Sequence, residues 1–321
     1  VAAAASQREA AVVLVGDRGV VERAARRVGV PARRIVAVRA PADIRNMLGR
    51  PTPLIGWYEG SSSVPLERAP YGEPTREAGR AQLAWIDQAM DLVTGGSADA
   101  LVTGPVSKHA ISSAGGRGRG FLGHTEYLAE RLGAKEVVMA FWSKKLVVSL
   151  VTTHLPIAKV ARALTIAGVG SAVFHTARLA RRLRRRAPEV AVSGLNPHAG
   201  EQGLLGREEI ECIAPGIAAA KRRLSRAGLS ALVVGPIGAE TAIRKAYAGA
   251  YDAVVAMYHD QATIPMKLVG FGDAVNVTLG LPIVRTSVDH GTGYDIAGKG
   301  KADPRAMRSA IALAAELTRP E

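Results

Sequence analysis

The chain has 321 residues, 48% hydrophobic and 4% aromatic, and its 42 Lys and Arg against 28 Asp and Glu leave a formal charge of +14 at pH 7. This length and apolar content allow one large domain or two α/β lobes and exclude a mainly disordered chain. No apolar run approaches the ~20 residues of a membrane helix, and the single cysteine, Cys212, excludes an internal disulfide.

Short β-branched runs alternate with longer amphipathic ones. The pattern predicts a strand at 11–15, a helix at 19–28, a strand at 35–38, an irregular Pro-, Gly- and Ser-rich stretch at 51–74, and a helix at 75–92. The glycine-rich segment 115–120 follows no strand and reads as a flexible loop. A short helix is expected from Gly123-His124-Thr125-Glu126 to about Leu132, with Thr125 as a candidate cap and free N–H groups for an anion. Strands then recur at 101–103, 137–141, 146–151, 190–193, 232–234, 253–257 and 275–279, and a helix at 304–317 ends the series. Such alternation means an α/β fold with a largely parallel sheet. Six of the nine residues 178–186 are Arg, on a helix whose apolar side is Val173, Leu179 and Leu183. With no interleaved aromatics this reads as a solvated face, so no nucleic-acid partner is expected. No membrane partner is expected either. The residues Val1–Ala5 do not read as a signal peptide, and the default setting is cytoplasmic.

Three of the seven histidines share one setting. His154, His198 and His259 each follow a predicted strand and sit beside Pro, Asn, Asp or Gln. Ligands of open α/β sheets bind at the carboxyl ends of strands, so three imidazoles there are candidates for one divalent metal with a position left for substrate. Lys267, Asn276 and Arg285, near the ends of the last strands, are candidate anion donors. No Gly-x-Gly-x-x-Gly follows a strand, so a Rossmann nucleotide site has no support.

These residues also lie in motifs. Thr103-Gly104-Pro105-Val106-Ser107-Lys108, Gly123-His124-Thr125-Glu126, Thr153-His154-Leu155-Pro156 and Asn196-Pro197-His198-Ala199-Gly200-Glu201 occur in that order. Met257-Tyr258-His259-Asp260-Gln261, Asn276-Val277-Thr278-Leu279-Gly280-Leu281-Pro282 and Arg285-Thr286-Ser287-Val288-Asp289-His290-Gly291-Thr292 follow. Together they resemble the 4-hydroxythreonine-4-phosphate dehydrogenase family, from about residue 80 to the end and more weakly before. The resemblance implies an isocitrate/isopropylmalate dehydrogenase-like fold of two α/β lobes with a cleft between them, spanning 1–321 as one unit. It implies a homodimer whose active site is shared between subunits, with His154, His198 and His259 holding zinc, cobalt or magnesium. It assigns His124, Thr125, Lys267, Asn276 and Arg285 to a phosphorylated substrate. The segment from His290 to Gly300 resembles an adenosine-binding loop, which assigns His290, Gly291, Thr292, Asp295 and Ile296 to NAD, with NADP as a second option. The implied reaction oxidises 4-phosphooxy-L-threonine to a β-keto acid that loses carbon dioxide to give 3-amino-2-oxopropyl phosphate, a precursor of pyridoxal phosphate. Lys108, Asp260 and Asp289 are the candidates for the proton acceptor.

Two departures accompany the resemblance. The family's opening strand and Gly-Asp-Pro-x-Gly-Ile-Gly-Pro-Glu turn have no counterpart here, so the chain is expected to lack that segment. Glu240 stands where the family has Asp in Pro-x-x-Ala-Asp-Thr. The alternatives are a relative acting on phosphorylated threonate or erythronate, and a non-catalytic descendant that only binds ligand.

Overall fold

The computed structural model describes residues 1–8, 10–47, 54–65, 68–270 and 272–320. The chain forms two compact units, one of Val1–Gly133 with Pro282–Arg319 and one built on Ala134–Leu281. The first opens with α1 (Ala2–Ala5), β1 (Val12–Gly16), α2 (Arg18–Arg27), β2 (Ile35–Val38), β3 (Ile55–Glu59), α3 (Arg76–Thr94), β4 (Ala100–Thr103), α4 (Lys108–Ser113) and α5 (His124–Arg131). The second contains β5 (Val138–Trp142), β6 (Val147–Leu150), α6 (Ile157–Ala163), α7 (Ile166–Arg184), β7 (Glu189–Ser193), α8 (Ala214–Arg226), β8 (Leu232–Ile237), α9 (Ala239–Tyr247), β9 (Ala253–Ala256), α10 (His259–Gly270) and β10 (Val275–Leu279). The chain then returns to the first unit as β11 (Val284–Val288) and α11 (Arg305–Thr318).

In the first unit, β1, β3 and β2 form a parallel sheet in that order, and β4 pairs with β11, also parallel. Helix starts follow readable caps: Asp17 accepts from Val20 N–H, Thr75 from Ala78 N–H and Ser107 from Ala110 N–H. Two expectations need correction. The stretch 51–74 is not irregular throughout, because β3 lies inside it with Ile55, Gly56 and Trp57 buried; residues 51–53 and 66–67 lie outside the described residues. The segment 115–120 is a formed loop rather than a loose one, with a tight turn at Gly116–Gly118 and Arg117 paired to Asp87 at 3.0 Å.

In the second unit the strands run β10-β5-β6-β9-β7-β8. The β10–β5 and β5–β6 pairs are antiparallel; β6, β9, β7 and β8 pair in parallel. Every residue of β6 and β9 is buried, as expected of parallel strands covered on both faces. Helices α7 and α8 pack together through Gly216, where an added Cβ would lie 2.6 Å from Cβ of Val169, so only glycine admits this approach. The arginine run closes α7 as an exposed or half-buried face, as the sequence suggests. Its charge is partly neutralised: Arg184 and Arg186 pair with the buried carboxylate of Asp252 at 2.9 and 2.8 Å. Among the described residues no single helix is long and apolar enough to cross a membrane.

Candidate functional site

In the first unit the polar candidates gather around one buried guanidinium. Strand β11 carries Arg285, which is 4% exposed and donates from Nη2 to Thr103 Oγ1 at 2.7 Å at the end of β4. Burial pulls its pKa down to about 10, with Glu126 opposing. His124 opens α5 and is half-buried. Burial first, then Arg285 and Lys108, lower its pKa to about 3, so its imidazole is neutral at physiological pH. Lys108 begins α4, and its amine lies beside Gly123. Two cations, Arg285 and Lys108, and a neutral imidazole thus share one locality with the carboxylate of Glu126, an arrangement of donors that could take an anion. Thr125 is half-buried in the first turn of α5 but does not cap it; Gly123 is the cap residue, and no side chain bonds there. The helix is held instead by Tyr127, whose hydroxyl donates to Asp87 Oδ1 at 2.5 Å, and by Arg131, 3.5 Å from the same oxygen. Asp87 also receives Arg117, so one buried carboxylate fixes both the glycine-rich turn and α5.

The assigned cofactor segment also belongs to the first unit. Ile296 N–H bonds Gly293 O at 3.1 Å, Lys299 N–H bonds Ile296 O at 3.0 Å, and His290 Nδ1 contacts Gly291 O at 2.9 Å, giving a succession of turns. Tyr71 packs under Gly298, its ring faced by Arg23 at 4.3 Å, and Arg27 reaches Gly300. Gly291, Thr292 and Asp295 are exposed and Ile296 is half-buried. An exposed carboxylate among turn N–H groups and flanking arginines fits the ribose hydroxyls and phosphates of a dinucleotide without a Rossmann loop. Asp289, half-buried, precedes this segment.

In the second unit, His154, His198 and His259 follow the carboxyl ends of β6, β7 and β9, three adjacent parallel strands. The rings of His154 and His259 face each other with centroids 5.4 Å apart. His259 Nδ1 contacts Asp260 Oδ1 at 2.7 Å, and since a carboxylate only accepts, Nδ1 is the donor and Nε2 is the nitrogen left for a metal. That donor set, two imidazoles with one oriented by a carboxylate, fits a divalent ion. His198 is exposed on a separate loop, and among the described residues no group of three His, Cys, Asp or Glu side chains is gathered to hold a metal within one chain. Lys267 is exposed on α10, the helix that His259 opens. Asn276 lies on β10, and its Oδ1 is buried with no hydrogen-bond partner among the described residues, an acceptor left for a ligand. Glu240 is exposed on α9 and paired with Arg244 at 2.7 Å.

Two residues outside the sequence-based set shape these loops. Gln261 accepts from Met257 N–H at 2.6 Å and Ser193 Oγ at 3.0 Å, and donates to Gly194 O at 2.9 Å, tying the ends of β9 and β7 together. Glu209 accepts from Leu195 N–H and Asn196 N–H, both at 2.8 Å. Only the Gln261 position carried a signal, its place in the His259 motif.

Known proteins resemble the chain along most of its length. The family described as pyridoxal phosphate biosynthetic protein PdxA matches residues 8–314. A 4-hydroxythreonine-4-phosphate dehydrogenase of Desulfosudis oleivorans is 43% identical over 309 residues, covering 94% of this chain and 85% of the relative. One of Geobacter metallireducens is 49% identical over 249 residues, covering 78% and 71%. The crystal structure of the Klebsiella pneumoniae 4-hydroxythreonine-4-phosphate dehydrogenase superimposes with a TM-score of 0.83 at 35% identity, covering 96% of this chain and 90% of that one. With its parallel-dominated α/β fold and its motifs in place, the chain belongs to the PdxA family, whose matched members are dehydrogenases.

Proposed function

We propose that the chain oxidises 4-phosphooxy-L-threonine with NAD and a divalent metal, producing 2-amino-3-oxo-4-phosphooxybutanoate, which decarboxylates to 3-amino-2-oxopropyl phosphate. The observation that carries this reading is the buried Arg285 beside His124 and Lys108, a cationic locality suited to a phosphate. In the reaction, Arg285 binds the phosphate through its guanidinium fork, with Thr103 fixing the orientation of that fork. Neutral His124 and Thr125 add hydrogen bonds; Lys267 supplies a point charge and Asn276 an acceptor. His154, His198 and His259 hold the metal, and Asp260 keeps the tautomer of His259. When bound, the metal, zinc, cobalt or magnesium, polarises the secondary hydroxyl as a Lewis acid, and the dinucleotide, NAD or NADP, takes the hydride. Residues His290, Gly291, Thr292, Asp295 and Ile296 hold the dinucleotide. The hydroxyl proton goes to one of Lys108, Asp260 or Asp289. The single cysteine supports a cytoplasmic setting.

NADH formation measured with phosphorylated threonine, threonate and erythronate tests the substrate. The expected result is a kcat/KM highest for the amino acid. Higher turnover of threonate or erythronate would transfer the assignment to those hydroxy acids, and no turnover of any would leave a ligand-binding descendant.

The reading includes a homodimer in which each site takes residues from both copies. It is supported by exposed apolar side chains flanking the histidine segments: Leu204, 82% exposed, with Leu205 and Ile210 near His198, and Leu268, 80% exposed, with Ile264 on the helix of His259. Mixing inactive His154→Ala and His198→Ala chains after partial unfolding should regenerate activity, because a mixed dimer then has one intact site. A fully active monomer by sedimentation would exclude sharing.

A further inference from the structure

Glu209 is 3% exposed and begins a wide helical turn, Glu209–Ile213, that leads into α8. Three donors in the loop after β7 bind its carboxylate. Oε1 takes the N–H groups of Leu195 and Asn196 at 2.8 Å each, and Oε2 takes the side-chain amide of Asn196 at 3.0 Å. The same amide also reaches Glu208 Oε2 at 2.7 Å. The loop lies directly against this anchor: a Cβ on Gly200 would lie 2.6 Å from Glu209 Oε2, and one on Gly194 3.0 Å from Oε1, so side chains there would push the two apart.

What the anchor holds is an unfavourable backbone. His198, Ala199, Gly200, Glu201 and Gln202 are consecutive residues with φ of 51, 53, 80, 46 and 57°, all left-handed, and four of them carry a Cβ. L-residues avoid this region, so such a run persists only where its surroundings over-determine it. Ala199 N–H bonds Asn196 O at 3.1 Å around His198, and Leu204 N–H to Glu201 O and Leu205 N–H to Gly200 O close the turn after it, whereas Glu209 grips Leu195 and Asn196 in front of it. Asn196, the residue from which the turn around His198 starts, is thus the one that the carboxylate holds by both its backbone N–H and its side-chain amide.

We propose that Glu209 is a positioning residue, fixing through Leu195 and Asn196 the loop conformation in which His198 serves as a metal ligand. This rests on the reading of His198 as a ligand, and the test separates the two. Zinc affinity is measured on the metal-stripped full chain by competition with a chromophoric chelator, for the unmodified protein, Glu209→Ala, His198→Ala and the double variant. Supporting groups behind metal ligands commonly contribute about 10- to 100-fold in affinity. Glu209→Ala should therefore weaken zinc by about that factor, and should cost nothing further once His198 is already alanine. Glu209→Gln keeps an acceptor for the two backbone N–H groups but turns a donor toward Asn196, so its loss should be smaller. An equal loss in the His198→Ala background, or unchanged zinc affinity in Glu209→Ala, overturns the proposal. If His198→Ala itself binds zinc normally, the ligand assignment falls and the positioning role with it. Should Glu209→Ala fail to fold, the same cycle run with Glu209→Gln gives the same decision.

Discussion

Arg285→Ala should lower kcat/KM for the phosphorylated substrate by about 30-fold to several thousandfold, the range expected when one partner of a buried, charge-assisted contact is removed. The guanidinium is 4% exposed, so water replaces it poorly, and Thr103 Oγ1 loses its donor with it. The loss should fall on the substrate and leave the KM for NAD little changed. Arg285→Lys should recover only part, because an ammonium restores the charge but not the planar fork. Steady-state kinetics with phosphorylated and dephosphorylated threonine check this; an equal proportional loss for both would remove the phosphate assignment. An NMR titration adds a second readout. Arg285 is one of the groups depressing His124, so in Arg285→Ala the His124 pKa should rise from about 3, while burial, the larger cause, keeps it below the ordinary value. Protonation of His124 opposes the folded state. The stability tied to its neutral form is therefore present above the unfolded pKa near 6.5 and is lost as the pH falls toward 3.

Exhaustive chelation should abolish NADH formation, and added zinc, cobalt or magnesium should restore it. His259→Ala should reduce turnover by about a thousandfold or more, since Lewis-acid polarisation of an alcohol is worth several kcal/mol. Asp260→Asn should be milder, about 10- to 100-fold in metal affinity, because it acts by orienting Nδ1. Elemental analysis alongside kinetics decides the matter: full activity with no bound metal would sink the metal reading.

Much of this was legible from local pattern. The helices that follow Asp17 and Thr75, and strands rich in Val and Ala such as β9, follow rules that act within a few residues, whereas the short α4 after Ser107 gave no periodic pattern to read. Strand β11 was missed because its interior is polar: Arg285, Thr286 and Ser287 are all buried, which a hydrophobicity pattern reads as surface. Strand β3 was hidden by its Pro-, Gly- and Ser-rich flanks, although Ile55 and Trp57 face inward. The motif histidines could be found one by one, but not which of them meet: His154 and His259 face each other because β6 and β9 are neighbours. Glu209 left no trace in the pattern, since its value lies entirely in what the loop after β7 folds back to touch.

The bond between Arg285 and Thr103 joins residues 182 positions apart. At ribosomal speeds of about 5–20 residues per second, roughly ten to forty seconds pass between the synthesis of one partner and the other. The segment Ala134–Leu281, on which the second unit is built, is synthesised whole in that interval, while β4 waits for β11, its partner within the first unit. A nascent chain therefore carries an unpaired strand edge throughout the middle of its translation, the kind of edge that other chains pair with and that chaperones shield. A stop between residues 281 and 285 would release a product with the segment Ala134–Leu281 complete and without Arg285, the residue proposed to hold the substrate's phosphate.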